Sequence, residues 1–170
     1  MDIIALYAKG NQGKSETLKR LIALILEKAE GSSFIVSDGY ADAVAVRTEI
    51  EAERLRRNKS DVVNKTVVLS VLGKTVGICT AGDDAGQLRK PFETFKDKKC
   101  DICVCASRPS GGSEEFLQGK KAEGNSLTWV RKTVVRNWDG MSGLDGVFDL
   151  LNEKQAEILC SSVMALCGRG

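Results

Sequence analysis

An apolar run near the N-terminus passes through a glycine-rich turn straight into an amphipathic segment, and few folds accommodate that order. Residues 2–8 are short and apolar, as in a buried strand, and residues 9–13 are polar and hold two glycines. From residue 15 to about residue 29 the apolar residues recur at helical spacing, and Gly31 follows as a stop signal. A strand that leads directly into a helix predicts a layered α/β fold, because the helix must pack back on the sheet.

The rest of the chain alternates between the same two kinds of segment. Short apolar or β-branched runs predict further strands at 33–37, 65–80, 101–106 and 127–135, the second of them a hairpin that turns at Gly73-Lys74. Helical spacing predicts helices at 41–58, 84–98 and 149–166, the middle one with a late start or a kink because of Pro91. Residues 107–112 and 137–146 are predicted to be loops, and 113–125 show no clear pattern. We therefore expect one domain over residues 1–170, with a mainly parallel sheet and helices on both faces.

Composition excludes several classes of function. The formal charge of the 170 residues is only +2, which gives no strong signal for nucleic acid. No segment reaches the roughly 18 unbroken apolar residues of a membrane span, so we expect no membrane partner. The apolar start of the chain is too short for a signal peptide, and we expect a cytoplasmic protein.

Six cysteines are present, and a cytoplasmic protein keeps them reduced. Cys100, Cys103 and Cys105 have a spacing that only superficially resembles a metal site, and the chain contains no histidine. Cys79, Cys103 and Cys105 lie in apolar runs. Buried strand thiols are therefore favoured over a zinc or iron–sulfur site.

The glycine-rich turn, Ala8-Lys9-Gly10-Asn11-Gln12-Gly13-Lys14-Ser15, fits the Walker A pattern. Gly10 and Gly13 would let the backbone amides approach a phosphate chain. Lys14 would reach the β- and γ-phosphates, and the Ser15 hydroxyl would bind Mg²⁺. The N-terminus of the following helix would point its dipole at the anion. Phosphate binding is favoured over a plain turn with a solvated lysine because the motif lies between a strand and a helix.

On these residues, segment 2–30 resembles the first strand and helix of the P-loop NTPases, with Ala8 in place of the commoner glycine. The resemblance implies a P-loop NTPase-like sandwich that binds ATP, or another nucleoside triphosphate, with Mg²⁺. It also implies that residues of the loop and of the first helical turn contact the phosphates or the metal: Gly10, Asn11, Gln12, Gly13, Lys14, Ser15, Glu16 and Thr17. Beyond residue 30 the resemblance is one of pattern only.

Two carboxylates follow predicted strands and are candidates for the second half of the site. If those strands run parallel to the first, their ends lie near the loop. Asp83 would then be the acid on the Mg²⁺ side, Asp38 a base or acceptor ligand, and Thr80 would orient a water or a phosphate. The alternative for each is an ordinary polar cap, and Asp84 in particular would suit the start of a helix.

Arg108 ends the predicted strand 101–106 beside small residues, which suits an anion or a transferring phosphoryl group. A surface arginine in a mobile loop is an equal alternative.

The segments Asn58-Lys59-Ser60-Asp61 and Asp83-Asp84-Ala85-Gly86 match two guanine-nucleotide motifs, but they occur in the wrong order along the chain. Adenine is therefore favoured over guanine.

The sequence is compatible with three functions. The first is a phosphotransferase or NTP hydrolase, in which Lys14, Asp38, Asp83 and Arg108 act on Mg·ATP and 107–125 forms a lid over an unknown small acceptor. The second is a slow, GTPase-like switch that signals to a protein partner through loops 81–87 and 107–125. The third, a flavodoxin-like module, is disfavoured because a neutral hydroxyl loop would not need Lys14.

Overall fold

The structure is a computed structural model that describes residues 1–28, 35–36, 65–134 and 145–168. The strands within these ranges are β1 Asp2–Tyr7, β2 Ile35–Val36, β3 Thr66–Val71, β4 Lys74–Cys79, β5 Ile102–Ser107 and β6 Ser126–Arg131. The helices are α1 Lys14–Lys28, α2 Ala85–Asp97, α3 Ser113–Ala122 and α4 Asp145–Cys167. The predicted helix 41–58 and residues 137–144 of a predicted loop lie outside the described residues.

The strands form one sheet in the order β2-β3-β4-β5-β1-β6. β4, β5, β1 and β6 are parallel to one another, whereas β3 runs antiparallel to β4 and β2 antiparallel to β3. The prediction of an α/β fold with a mainly parallel sheet is confirmed. The carboxyl ends of the four parallel strands lie at one edge, where the loops after β1, β4 and β5 meet.

Both faces of the sheet are covered by helices, which explains why the central strands β1 and β5 are almost entirely buried. α1 and α4 pack on one face through buried side chains such as Leu21, Ile22 and Leu159. α2 and α3 pack on the other face through Leu88, Phe95 and Leu117, among others. The two layers fix α1 and α2 at the same edge of the sheet, with their N-terminal ends beside the carboxyl ends of β1 and β4.

The β3–β4 hairpin is confirmed, but its turn lies one residue earlier than predicted. Leu72 and Gly73 both have positive φ, 49° and 76°, as the tight hairpin turns of this twist require. Lys74 therefore belongs to β4 and not to the turn. Gly73 marks the turn, whereas a leucine at position 72 does not signal a left-handed conformation.

Several element boundaries differ from the prediction. One is the start of α4 at Asp145, inside the predicted loop 137–146 and four residues before the predicted helix start at 149. α2 begins at Ala85 in spite of Pro91, since Asp84 caps it and accepts a hydrogen bond from the Gln87 amide at 2.9 Å. β6 ends at Arg131, four residues before the predicted end at 135. α3 occupies most of the unassigned stretch, and the ring of Phe116 packs edge-on to Phe92 at 5.3 Å. Most of the segment expected to be a flexible lid is thus helical.

All six cysteines are buried and free of disulfides, which confirms that Cys79, Cys103 and Cys105 are buried strand thiols. Burial raises the pKa of the Cys79 and Cys105 thiols. In the described ranges, no cluster of three or more Cys, Asp or Glu residues is placed to hold a metal ion. Nor does any helix in those ranges combine the length and apolar character needed to cross a bilayer.

Candidate functional site

The loop 8–15 leaves the carboxyl end of β1 and enters α1, whose first residue is Lys14. The amide of Ala8 donates to the Ser107 carbonyl at 3.2 Å, and the amide of Thr17 donates to the Gly13 carbonyl at 2.9 Å. Asn11 and Gly13 both have positive φ, 55° and 75°. Left-handed positions that alternate with right-handed ones turn successive amides toward a common point, and this is how backbone loops hold anions.

Two features require glycine at position 13: its positive φ and the close approach of α4 behind the loop. A Cβ on Gly13 would lie 2.7 Å from the Oδ1 atom of Asn152 in α4. Asn152 is buried, and the same Oδ1 accepts a hydrogen bond from the Thr17 hydroxyl at 3.1 Å. Asn152 therefore supports the loop from behind. Sequence reasoning missed it, although an asparagine within the apolar stripe of a helix is a signal that a polar partner must be nearby.

Lys14 is almost fully buried, with 5% of its side chain exposed. Its ammonium donates to the carbonyls of Ala8 at 3.1 Å and Lys9 at 3.0 Å, and lies 3.4 Å from the Asp83 Oδ1 atom. Burial lowers the pKa of the Lys14 ammonium, and the Asp83 carboxylate opposes part of that change. The Lys14 side chain thus folds back over its own loop, and its charge lies at the carboxyl edge of the sheet.

The next residue, Ser15, is held against the end of β4. Its hydroxyl donates to the carbonyl of Thr80 at 2.9 Å, which leaves the lone pairs of the oxygen available to a metal ion. The hydroxyl of Thr80 is used elsewhere, as it accepts a hydrogen bond from the Lys65 amide at 2.7 Å. Thr80 therefore positions Ser15 through its backbone.

Asp83 lies in the turn between β4 and α2, and a reciprocal cap fixes the backbone there. Asp84 accepts from the Gln87 amide, and the Gln87 side chain in turn accepts from the amides of Gly82 at 3.2 Å and Asp83 at 3.0 Å. The interpretation of Asp84 as a helix cap is confirmed. The cap leaves the neighbouring Asp83 carboxylate directed toward Lys14.

Arg108 follows β5, which lies between β1 and β4 in the sheet. Its Nε atom donates to the Asp83 carbonyl at 2.5 Å, and an Nη1 atom lies 3.7 Å from the Asp83 Oδ2 atom. The same Nη1 atom lies 3.4 Å from the position a Cβ would take on Gly10. The hydroxyl of Ser113 accepts from the Arg108 amide at 3.1 Å and fixes the start of this loop. The structure therefore brings Lys14, Asp83 and Arg108 together.

The remaining predicted residues are placed less centrally. Glu16 pairs with Arg20 at 3.3 Å within α1, and Thr17 is committed to Asn152. Asn11 is exposed and Gln12 half-buried in the loop. Asp38 and the 58–61 segment lie outside the described residues.

The arrangement places two cations beside the Asp83 carboxylate, and the Ser15 hydroxyl lies against the Thr80 carbonyl at the end of β4, three residues before Asp83. Magnesium in proteins takes oxygen ligands, often only one or two from side chains, with water and phosphate oxygens completing the shell. The Ser15 hydroxyl and the Asp83 carboxylate fit that requirement. Comparisons of the chain with protein-family models, with curated proteins and with solved structures found no match.

Proposed function

We propose that this chain binds a nucleoside triphosphate with Mg²⁺ at the loop 8–15, and that it transfers or hydrolyses the terminal phosphoryl group. Lys14 and Arg108 would bind the phosphate oxygens. Ser15 and Asp83 would hold the metal, which supplies charge neutralisation when bound. The sheet and the two helix layers would be those of a P-loop NTPase.

The observation that carries the proposal is the position of the Lys14 ammonium. A lysine in a plain surface turn extends into water, whereas Lys14 is buried and folded back over the carbonyls of Ala8 and Lys9. Burial of a charge is costly, so the loop holds this ammonium at a place suited to an anion, which the Asp83 carboxylate now occupies. The helix α1 begins at this residue and adds the favourable end of its dipole.

A catalytic role is supported by the second cation. Phosphoryl transfer depends mainly on positioning and on groups that neutralise charge on the transferred phosphoryl. Arg108 reaches the same point as Lys14 from a different strand, so the two charges flank one anionic group, the Asp83 carboxylate. Adenine remains the favoured base, because the two guanine-nucleotide motifs occur in the wrong order along the chain.

Turnover assays test the proposal directly. We expect the purified chain to hydrolyse Mg·ATP slowly, with Mg·GTP a poorer substrate, and we expect the rate to rise with one class of small hydroxyl- or amine-bearing acceptor. The acceptor panel is followed by phosphate release and by transfer of a labelled γ-phosphate. If the wild-type protein turns over no nucleotide faster than the Lys14→Ala variant does, the proposed enzymatic activity is wrong.

A nucleotide-dependent switch is the second candidate, and one observation favours it. The loops after β4 and β5 are fastened together: the Ala85 amide donates to the Gly111 carbonyl at 3.0 Å, and a Cβ on Gly111 would lie 2.5 Å from the Asp83 carbonyl. Movement of Asp83 would therefore reach α3. In the same assays, a slow rate that rises only with a protein partner would favour this candidate.

A further inference from the structure

We propose that Asp83 makes the site selective for metal-bound polyphosphates, by occupying the place of the phosphate until a divalent cation draws it away. The inference rests on the proposed function and names a specificity determinant within it. The Asp83 carboxylate would pair with Lys14 and Arg108 in the free protein, and with the metal ion when the ligand is bound.

The Lys14 ammonium already has a partner for each of its hydrogen atoms. An ammonium has three hydrogen-bond donors. Its three neighbours here are the carbonyls of Ala8 and Lys9 and the Asp83 Oδ1 atom, at 3.0 to 3.4 Å. A phosphate oxygen can therefore reach Lys14 only by displacing one of them. The carboxylate is the neighbour best able to leave, because the two carbonyls belong to the loop itself and the Asp83 side chain is 44% exposed.

The Asp83 carboxylate is shared between two cations. Oδ1 of Asp83 faces Lys14 at 3.4 Å, and Oδ2 faces Arg108 at 3.7 Å. Each carboxylate oxygen is directed at a different cation. Two oxygens of a phosphoryl group would present the same pattern of charge. Asp83 thus satisfies the pair of cations that the proposed function assigns to the phosphate.

The consequence concerns which anions can bind. A free phosphate or polyphosphate must displace the Asp83 carboxylate and then remain beside its negative charge, which is repulsive. When the anion arrives with a divalent cation, Asp83 can pair with that cation, and Lys14 and Arg108 are released to the phosphate oxygens. The expected ligand class is therefore a metal-complexed di- or triphosphate and not a bare anion.

Calorimetric titration with inorganic pyrophosphate, with Mg²⁺ or with a chelator, tests the inference. We expect the wild-type protein to bind pyrophosphate at least about tenfold more tightly with Mg²⁺ than without. Asp83→Asn is expected to bind metal-free pyrophosphate about tenfold more tightly than wild type, since the competing charge is gone. The same variant should lose most of the gain that Mg²⁺ gives. Asp83→Ala serves as a second variant, and thermal unfolding checks that both are folded.

The matched control is Asp84→Asn. It removes the same formal charge from the adjacent residue, whose carboxylate caps α2 through the Gln87 amide, whereas that of Asp83 pairs with Lys14. Asparagine is an equally good cap. Its metal-free affinity should stay within about twofold of wild type. Equal gains in Asp84→Asn and Asp83→Asn, or no gain in Asp83→Asn while Mg·pyrophosphate still binds to wild type, would overturn the inference and leave the proposed function standing. Failure of wild type to bind any polyphosphate would overturn both.

Discussion

Lys14→Ala is expected to weaken binding of Mg·ATP by about 100-fold, or about 3 kcal/mol. The wild-type ammonium is buried and held by the carbonyls of its own loop, so it needs little further ordering once Asp83 has moved to the metal. A charge-assisted hydrogen bond in such a place contributes more than one at an exposed surface. Calorimetric titration with Mg·ATP, Mg·GTP and inorganic phosphate measures the loss and the base preference together.

Lys9→Ala is the control for this variant. Lys9 carries the same charge in the same loop, but its side chain is exposed and only its backbone carbonyl contacts the Lys14 ammonium. We expect its affinity to fall by no more than about threefold, as for a screened surface charge. If Lys14→Ala binds Mg·ATP as well as wild type does, or if both variants lose affinity equally, Lys14 is not the phosphate ligand.

Gly82→Ala is expected to destabilise the protein by about 3 kcal/mol, because it inserts an atom between two segments of backbone. A Cβ at this position would lie 1.9 Å from the carbonyl oxygen of Ala106 in β5. No side-chain rotation can relieve that contact, so the β4–α2 turn would have to lift away from β5. For a chain of this length the melting temperature should fall by roughly 10 °C, measured by thermal unfolding.

The same substitution at Gly119 is expected to raise the stability of the protein. Gly119 lies inside α3, and a Cβ there would meet nothing within 4 Å. Gly119→Ala should therefore stabilise the helix by about 0.5 to 1 kcal/mol. A Gly82→Ala protein as stable as wild type would show that the close approach of the turn to β5 is not present in solution.

Local patterns predicted the elements that form the centre of the fold. The run 2–8, the turn after it and the spacing of Leu18, Leu21 and Ile22 were enough for β1, the loop and α1, because each segment follows a period that its own residues set. The Asp84 cap could also be predicted, because it depends on a residue only three positions away.

The parts that local patterns could not predict depend on distant contacts. α3 has few buried side chains of its own, Ser113 and Leu117, and is held by the packing of Phe116 on α2. The insertion of β5 between β1 and β4 decides that Arg108 reaches Asp83, and no residue of the chain signals that order.

Asn152 shows the same limit within the site. It acts on Gly13 and Thr17 across more than 130 positions of sequence, and only the packing of α4 on α1 creates the contact. The chemistry of Lys14 and Ser15 could therefore be predicted from eight consecutive residues. Their supporting residue and the contact between Lys14 and Asp83 required the tertiary structure.

The most direct measurement is amide NMR of the ¹⁵N-labelled protein during titration with Mg·ATP. We expect the largest chemical-shift changes at the amides of residues 10–15 and smaller ones at residues 80–83. All of them should saturate together at one nucleotide per chain. Loop amides that stay unchanged at saturating Mg·ATP, or shift changes confined to another surface, would contradict the nucleotide site at this loop.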